Sequence, residues 1–343
     1  MLKKIRVQDA VGTRLAHDIT EIRPGEFKGP AFRKGHEVCD TDLCHLQKLG
    51  KNHLYLIDLE ADEIHENQAA AILARGLAGE GVTWEDDPKE GKISLHAAHD
   101  GLLTVNAAAL AAFNMIDEVM CATLHTHTLV KKGARVAATR AIPLVMQRAP
   151  VERAAAIAAQ NGGVVSVKAL QTVKAGLVIT GSEVYHGLIQ DRFAPILRQK
   201  ILELGSEVTG IVFAPDEEDR IAEALRSHLK NGCDLILLSG GMSVDPDDVT
   251  RKAIKNTGAE EIHYGAAALP GAMFLVAYIG DVPLLGVPAC GLHHRITVLD
   301  LLLPRILAGE KIGKKELAFL GHGGLCQDCP SCTYPHCPFG KGI

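Results

Sequence analysis

The stretch Asp234-Leu235-Ile236-Leu237-Leu238-Ser239-Gly240-Gly241-Met242-Ser243-Val244-Asp245-Pro246-Asp247-Asp248 decides how this chain is read. Asp234 to Leu238 is a short apolar run, the pattern of a strand buried on both faces. Gly240-Gly241 then turns the chain out of the strand. A helix is expected over about Asp247 to Asn256. Carboxylates at Asp245, Asp247 and Asp248 suit its first turn, where they oppose the positive end of the helix dipole.

The same rhythm runs outward on both sides. Upstream, Ala175 to Thr180 reads as a strand and Arg192 to Leu204 as a helix stopped by Gly205. Val208 to Phe213 is the next strand. Asp216 is placed to cap a helix from Glu217 to Lys230, which Asn231-Gly232 ends. Downstream, Ile262 to Tyr264, Met273 to Ile279 and Leu284 to Val287 are strand candidates. His293 to Leu307 reads as mostly helical, interrupted at Pro304. Alternating strands and helices imply right-handed crossovers and helices on both faces of a mostly parallel sheet. The expected fold class is therefore α/β, doubly wound.

In such sheets ligands sit beyond the carboxyl ends of the strands. Those ends carry Thr180-Gly181-Ser182-Glu183, Pro215-Asp216, Ser239 to Asp248, and Val287-Pro288-Ala289-Cys290-Gly291. Small residues let a ligand approach the backbone, whose N–H groups can hold a phosphate or an amide-rich ring. Each loop taken singly is explained as a turn or a helix cap. Four of them on one rim converge if their strands are adjacent.

Thr180-Gly181-Ser182-Glu183, Leu237-Leu238-Ser239-Gly240-Gly241-Met242-Ser243-Val244, Asp248 and Leu269-Pro270-Gly271 together resemble the molybdopterin-binding domain. That domain is shared by molybdopterin adenylyltransferases and molybdopterin molybdotransferases, and the likeness spans about Lys174 to Gly309. It implies a pterin–dithiolene phosphate lying across these loops. Glu183, Asp216 and Asp248 take the positions of the family's acidic site residues. Thr180, Gly181, Ser182, Ser239, Gly240, Gly241, Met242, Ser243, Pro270, Gly271 and Pro288 are the expected cofactor contacts. Asp245, Asp247 and Asp248 are candidates for Mg²⁺ beside the phosphate. Asp9-Ala10-Val11-Gly12 with Leu15-Ala16-His17-Asp18-Ile19 is similar to the opening of molybdotransferases. Val130 to Ala137 resembles the segment where those proteins return towards the pterin domain.

The chain also departs from that pattern. It has no Met-Asp-Gly-Tyr-Ala type segment after the opening. Its Pro270-Gly271 turn has no flanking Lys, and Pro288-Ala289-Cys290-Gly291 stands where a Gly-Asn-Pro sequence is usual. These departures favour a protein that binds, matures or delivers the cofactor to a molybdoenzyme. An active adenylyltransferase or molybdotransferase using Mg²⁺ is the alternative, and a nucleotide-processing relative that borrows the same domain is a third.

With 343 residues, two or three units are expected. Residues 1–62 read as a β-rich region, with a helix over Asp42 to Leu49 and a strand over His53 to Ile57. Residues 63–172 read as a mixed α+β region. It holds helices over Glu66 to Leu77, Asn106 to Met115 and Glu152 to Gln160, and a hairpin over Ile93 to Val105 turning at Asp100-Gly101. Strands are expected over Cys121 to Val130, which puts His125 and His127 on one face, over Ala134 to Leu144, and over Val164 to Ala169. Residues 173–310 are the pterin domain, and residues 311–343 a Cys-rich tail with too little apolar content for its own core.

The tail is the second chemical signal. Cys326, Cys329, Cys332 and Cys337 place four soft ligands within twelve residues, as a [4Fe–4S] cluster or zinc requires. The chain should be disordered there when empty. Net charge −5 and 4% aromatic residues argue against nucleic-acid partners. No apolar run is long enough for a membrane span and no secretory signal is evident, so a cytoplasmic location is expected, with homo-oligomer formation possible.

Overall fold

The computed structural model describes residues 2–57, 59–242 and 249–342. The chain forms two compact units. One comprises residues 1–98, 105–124 and 133–166, the other residues 99–104, 125–132 and 167–343.

In the first unit, strands Leu2–Arg6 and His53–Ile57 pair antiparallel, and Ile19–Arg23 pairs with Phe27–Phe32. A helix, Asp42–Lys48, lies where the sequence places it. Val7, Leu15, Ile19, Phe32, Leu46 and Leu54 bury a small core among them. The same unit holds a four-stranded antiparallel sheet in the order Val82–Trp84, Lys92–Ala97, Arg135–Ala141, Val119–Thr123. Helices Glu66–Leu77 and Arg148–Ala159 pack closely on each other. Their backbones approach so tightly that a Cβ on Gly76 would meet the Ala155 carbonyl oxygen at 2.6 Å.

The hairpin expected over Ile93 to Val105 does not form. Lys92–Ala97 pairs with Arg135–Ala141, whereas Gly101–Val105 pairs with Thr128–Val130. Asp100 does not close a two-residue turn. Its carboxylate accepts from the Lys132 amide at 2.8 Å and from the Lys131 ammonium at 2.8 Å. The strand expected over Cys121 to Val130 is also broken, so His125 and His127 share no strand face. His127 sits between the two pieces with φ +56.

The second unit is built on a six-stranded sheet. Its elements are β1 (Lys174–Thr180), α1 (Ser182–Tyr185), α2 (Phe193–Glu203), β2 (Glu207–Ala214), α3 (Glu218–Lys230), β3 (Leu235–Ser239), α4 (Thr250–Asn256), β4 (Glu260–Tyr264), β5 (Leu275–Ile279), β6 (Val282–Val287), α5 (Val298–Leu307) and α6 (Lys314–Phe319). The strand order is β2-β1-β3-β6-β5-β4. The first four run parallel, and β5 and β4 are antiparallel additions at one edge.

Side chains along these strands alternate between two cores, the consequence of period-two geometry. Leu177 and Ile179 of β1, Leu235 and Leu237 of β3, and Leu285 and Val287 of β6 face the core that holds Leu197 of α2 and Leu302 of α5. Val178, Ile236, Leu238 and Leu284 face the other, with Leu225 of α3 and Ile254 of α4. Burial on both faces is why these strands read as continuous apolar runs. Among the described residues, no helix is long and apolar enough to cross a membrane.

Two expectations are corrected here. His293-His294 does not begin a helix. α5 starts at Val298, where Thr297 and Asp300 form a capping box, and Pro304 is accommodated inside it. The tail is not an unpacked appendage either. Leu317, Leu320 and Phe339 are buried in the same core as β1, β3 and α5, so the tail lacks a core of its own because it shares this one.

Candidate functional site: a glycine-walled cleft at the strand ends

Strands β1, β2, β3 and β6 are parallel, so their carboxyl ends lie on one edge of the sheet. Ile179 of β1 pairs with Ser239 of β3, and Ser239 pairs with Val287 of β6. The segments leaving these strands are therefore adjacent. A cleft of about 530 Å³ opens among Gly240–Met242 after β3, Leu269–Met273 before β5, Pro288–Cys290 after β6, and His294.

Backbone sterics dictate the glycines. Gly240 has φ +86, and a Cβ there would stand 2.6 Å from the Thr180 carbonyl oxygen and from its hydroxyl. Gly241 has φ +61, and its Cβ would stand 2.2 Å from the Thr250 hydroxyl. Positive φ and close approach both exclude a larger residue. Behind this turn the Thr180 hydroxyl donates to the Ser239 carbonyl at 2.8 Å. The Ser239 hydroxyl is fully buried and has no partner among the described residues. A buried orphan hydroxyl calls for an explanation such as a bound water or ligand.

Of the residues expected from sequence, Gly240, Gly241, Met242, Pro270, Gly271 and Pro288 line this cleft. Thr180, Gly181, Ser182, Glu183, Asp216 and Ser239 lie at the adjoining strand ends but not among its lining residues. Ser243, Asp245, Asp247 and Asp248 lie outside the described residues. Leu269, Ala289 and Cys290 also line it; they stood in the motifs read from sequence without being named as contacts, and Ala272, Met273 and His294 were missed. His294 was hidden because the segment looked helical, whereas it belongs to a short turn following Cys290.

Asp216 has a different local role from the one expected. The cap of α3 is Glu217, and no side chain bonds the helix start. The Asp216 carboxylate instead accepts from the Ser182 amide at 2.8 Å and the Ser182 hydroxyl at 3.0 Å, while the Asp216 amide donates back to that hydroxyl at 3.2 Å. The loops after β1 and β2 are thus clasped together. Glu183 is exposed in the short α1.

Among the described residues that line it, the cleft has no carboxylate, lysine or arginine. Burial pushes the Cys290 thiol up from its ordinary value, so it is a thiol, not a thiolate, at neutral pH. His294 Nδ1 lies 3.3 Å from the Asp328 carboxylate, which belongs to the tail.

The tail is tied to this cleft through its backbone as well. Leu269 donates to Gly324 at 2.7 Å, and Cys326 donates to Leu269 at 2.9 Å. Cys326 and Cys337 are half-buried, Cys329 and Cys332 exposed. Among the described residues, no three His, Cys, Asp or Glu side chains are gathered closely enough to hold a metal ion. Elsewhere in this unit Arg305 grips Glu310 with two nitrogens, and His127 Nε2 lies 4.0 Å from the Glu310 carboxylate. Burial, then the Arg305 charge, push His127 down to about 4.

Comparison with known proteins bears on this geometry. Residues 176–308 match the family described as "Probable molybdopterin binding domain", and residues 4–58 match a domain of unknown function. A CinA-like protein of Mycobacterium tuberculosis is 37% identical over 91 residues, 26% of this chain and 21% of that protein. One from Mycolicibacterium vanbaalenii is 36% identical over 96 residues, 28% of this chain and 23% of that protein. The chain thus spans about a fifth of the length of the curated relatives it matches. Among solved structures, CinA of Thermoplasma acidophilum covers 39% of this chain and 98% of its own, with 17% identity and a TM-score of 0.36. A molybdenum cofactor biosynthesis protein of Pyrococcus furiosus covers 91% of this chain and 66% of its own, with 15% identity and a TM-score of 0.27. The cleft at the strand ends, and all but the first two residues of the six-stranded sheet, fall within residues 176–308, the part of this chain that matches the molybdopterin-binding family.

Proposed function

We propose that the cleft binds molybdopterin or the molybdenum cofactor, and that the chain serves the biosynthesis, maturation or delivery of that cofactor to a molybdoenzyme. The observation that carries this reading is the cleft itself. Gly240–Met242, Pro270-Gly271 and Pro288 meet at the ends of β3 and β6, inside a domain matching that family. The orphan Ser239 hydroxyl behind the glycine turn fits a site completed by a ligand or by the water it orders.

Two features favour binding or delivery over catalysis. The Pro270-Gly271 turn has no lysine beside it. The Asp216 carboxylate is occupied with Ser182, which leaves it less free to orient a metal or a nucleophile. The test is titration of the full chain with molybdopterin, followed by incubation with ATP and then with molybdate. Saturable binding without adenylation or metal insertion is expected. Turnover would move the reading to an adenylyltransferase or molybdotransferase using Mg²⁺ at Asp245, Asp247 and Asp248. Absence of binding would contradict both.

A further inference from the structure

The four cysteines of the tail lie on one loop that is closed at its base. The Gly340 amide donates to the Gly323 carbonyl at 3.0 Å, so residues 324–339 leave and return at one point. Both ends of the cysteine run are anchored, since Cys326 and Cys337 pack against the core of the second unit. Between them Cys329 and Cys332 are exposed, and no sulfur is paired.

A second observation concerns charge. Lys341, just after the loop, is only 4% exposed. Its ammonium donates to the Thr128 hydroxyl at 2.6 Å and to the His127 carbonyl at 3.2 Å, and it lies 5.8 Å from the Tyr334 ring centroid. These partners are all neutral. A buried cation without an anion is unfavourable. Four thiolates around a divalent ion, or around a [4Fe–4S]²⁺ core, leave about two net negative charges. Such a centre beside Cys337 would offset the buried ammonium.

The third observation is the position of the loop. Leu325 forms a parallel bridge with Leu269, which lines the pterin cleft. Asp328 pairs with His294 at 3.3 Å, also on the cleft wall. Leu325 and Asp328 flank Cys326 in sequence, so any movement that gathers the sulfurs acts on two cleft residues.

We propose that Cys326, Cys329, Cys332 and Cys337 form a tetrathiolate metal centre whose loading is thermodynamically linked to ligand binding in the adjacent cleft, through Leu269 and the His294–Asp328 pair. The linkage half rests on the reading of the cleft as a pterin site; the metal half does not. Loading closes the exposed middle of the loop onto its two anchored ends. When a divalent ion loads, the thiols release their protons to solvent as sulfur–metal bonds form and no electron is transferred; a [4Fe–4S]²⁺ centre forms with the same proton release from two ferrous ions, two ferric ions and four sulfides. Linkage is reciprocal: whatever factor the metal applies to pterin affinity, pterin applies to metal affinity.

The test uses the full chain, reduced and stripped of metal. Titration with Co²⁺ alone should give an intense sulfur-to-cobalt charge-transfer band saturating at one ion per chain. The C329S/C332S variant should lose it, and the C39S/C44S variant, altered at exposed cysteines of the other unit, should keep it. A parallel anaerobic reconstitution with iron and sulfide distinguishes the two tetrathiolate centres, a brown chromophore marking the cluster. Molybdopterin affinity should then differ by about fivefold or more between loaded and empty protein. D328N should keep the metal and lose most of that difference. Absence of the charge-transfer band and of the chromophore, or their survival in C329S/C332S, overturns the metal centre. Metal binding with unchanged pterin affinity overturns the linkage. If the empty and the loaded protein both fail to bind molybdopterin, the cleft reading and the linkage fall together, while the cobalt titration still decides the metal half.

Discussion

The Asp216 carboxylate holds Ser182 twice, accepting from its amide at 2.8 Å and from its hydroxyl at 3.0 Å. This fixes the loop after β1 against the loop after β2. Hydrogen bonds to a charged acceptor are each worth roughly 1.5–3 kcal/mol when shielded, and less in this half-exposed position. Asp216→Ala should therefore lower stability by about 1–2 kcal/mol in chemical denaturation. Ser182→Ala should cost less, because the amide bond survives. Combining the two should cost less than their sum. Additive losses would mean that the two residues act apart.

Packing at the glycine turn gives a second prediction. Gly241→Ala places a methyl 2.2 Å from the Thr250 hydroxyl at φ +61. It should destabilise the second unit by more than 1 kcal/mol, a rough figure for a strained Ala at positive φ combined with overpacking. Thr250→Ala removes the obstructing hydroxyl, so the double variant should recover part of the loss. The backbone strain should remain. Full recovery would show that the positive φ costs nothing here, and no recovery would show that the clash is not the cause.

A pH dependence follows from His127, which burial and the Arg305 charge hold down to about 4. In the unfolded chain a histidine titrates near 6.5. Between those values the unfolded chain takes up a proton that the folded chain refuses. Stability should thus be unaffected above about pH 6.5 and fall as the pH drops towards 4, by roughly 3 kcal/mol in total. His127→Asn should flatten the loss between about pH 6.5 and 5, because Asn does not titrate and tolerates φ +56. An unchanged pH profile in that variant would place the acid sensitivity elsewhere.

The sheet was legible because its strands are apolar on both faces. Leu235-Ile236-Leu237-Leu238 alternates between two cores, and such a run cannot be mistaken for a half-exposed strand. Gly240-Gly241 was legible for the same kind of local reason. What failed depended on partners distant in sequence. Asp100-Gly101 has the chemistry of a hairpin turn, yet the strands on either side of it pair elsewhere, with Arg135–Ala141 and with Thr128–Val130. Asp216 stands where a cap would stand, but Ser182, 34 residues earlier, captures its carboxylate. The tail is poor in apolar residues, and Leu320 and Phe339 find their core on the sheet. His294 joins the cleft wall only because the turn after β6 brings it there.

The account stands most directly on whether the cleft at Gly240, Pro270 and Pro288 takes the pterin. Ala289 lines it, is exposed, and sits in the short turn after Pro288. Ala289→Phe should fill the cleft without disturbing the buried core. The decisive measurement is the affinity of the full-length chain for molybdopterin, wild type against Ala289→Phe, with thermal unfolding recorded on both. Saturable binding by the wild type and at least about tenfold weaker binding by the variant, a loss of ~1.4 kcal/mol, at equal unfolding temperature, is the result expected. Equal affinity in the two proteins, or no binding by either, would contradict the claim that this cleft is the molybdopterin site.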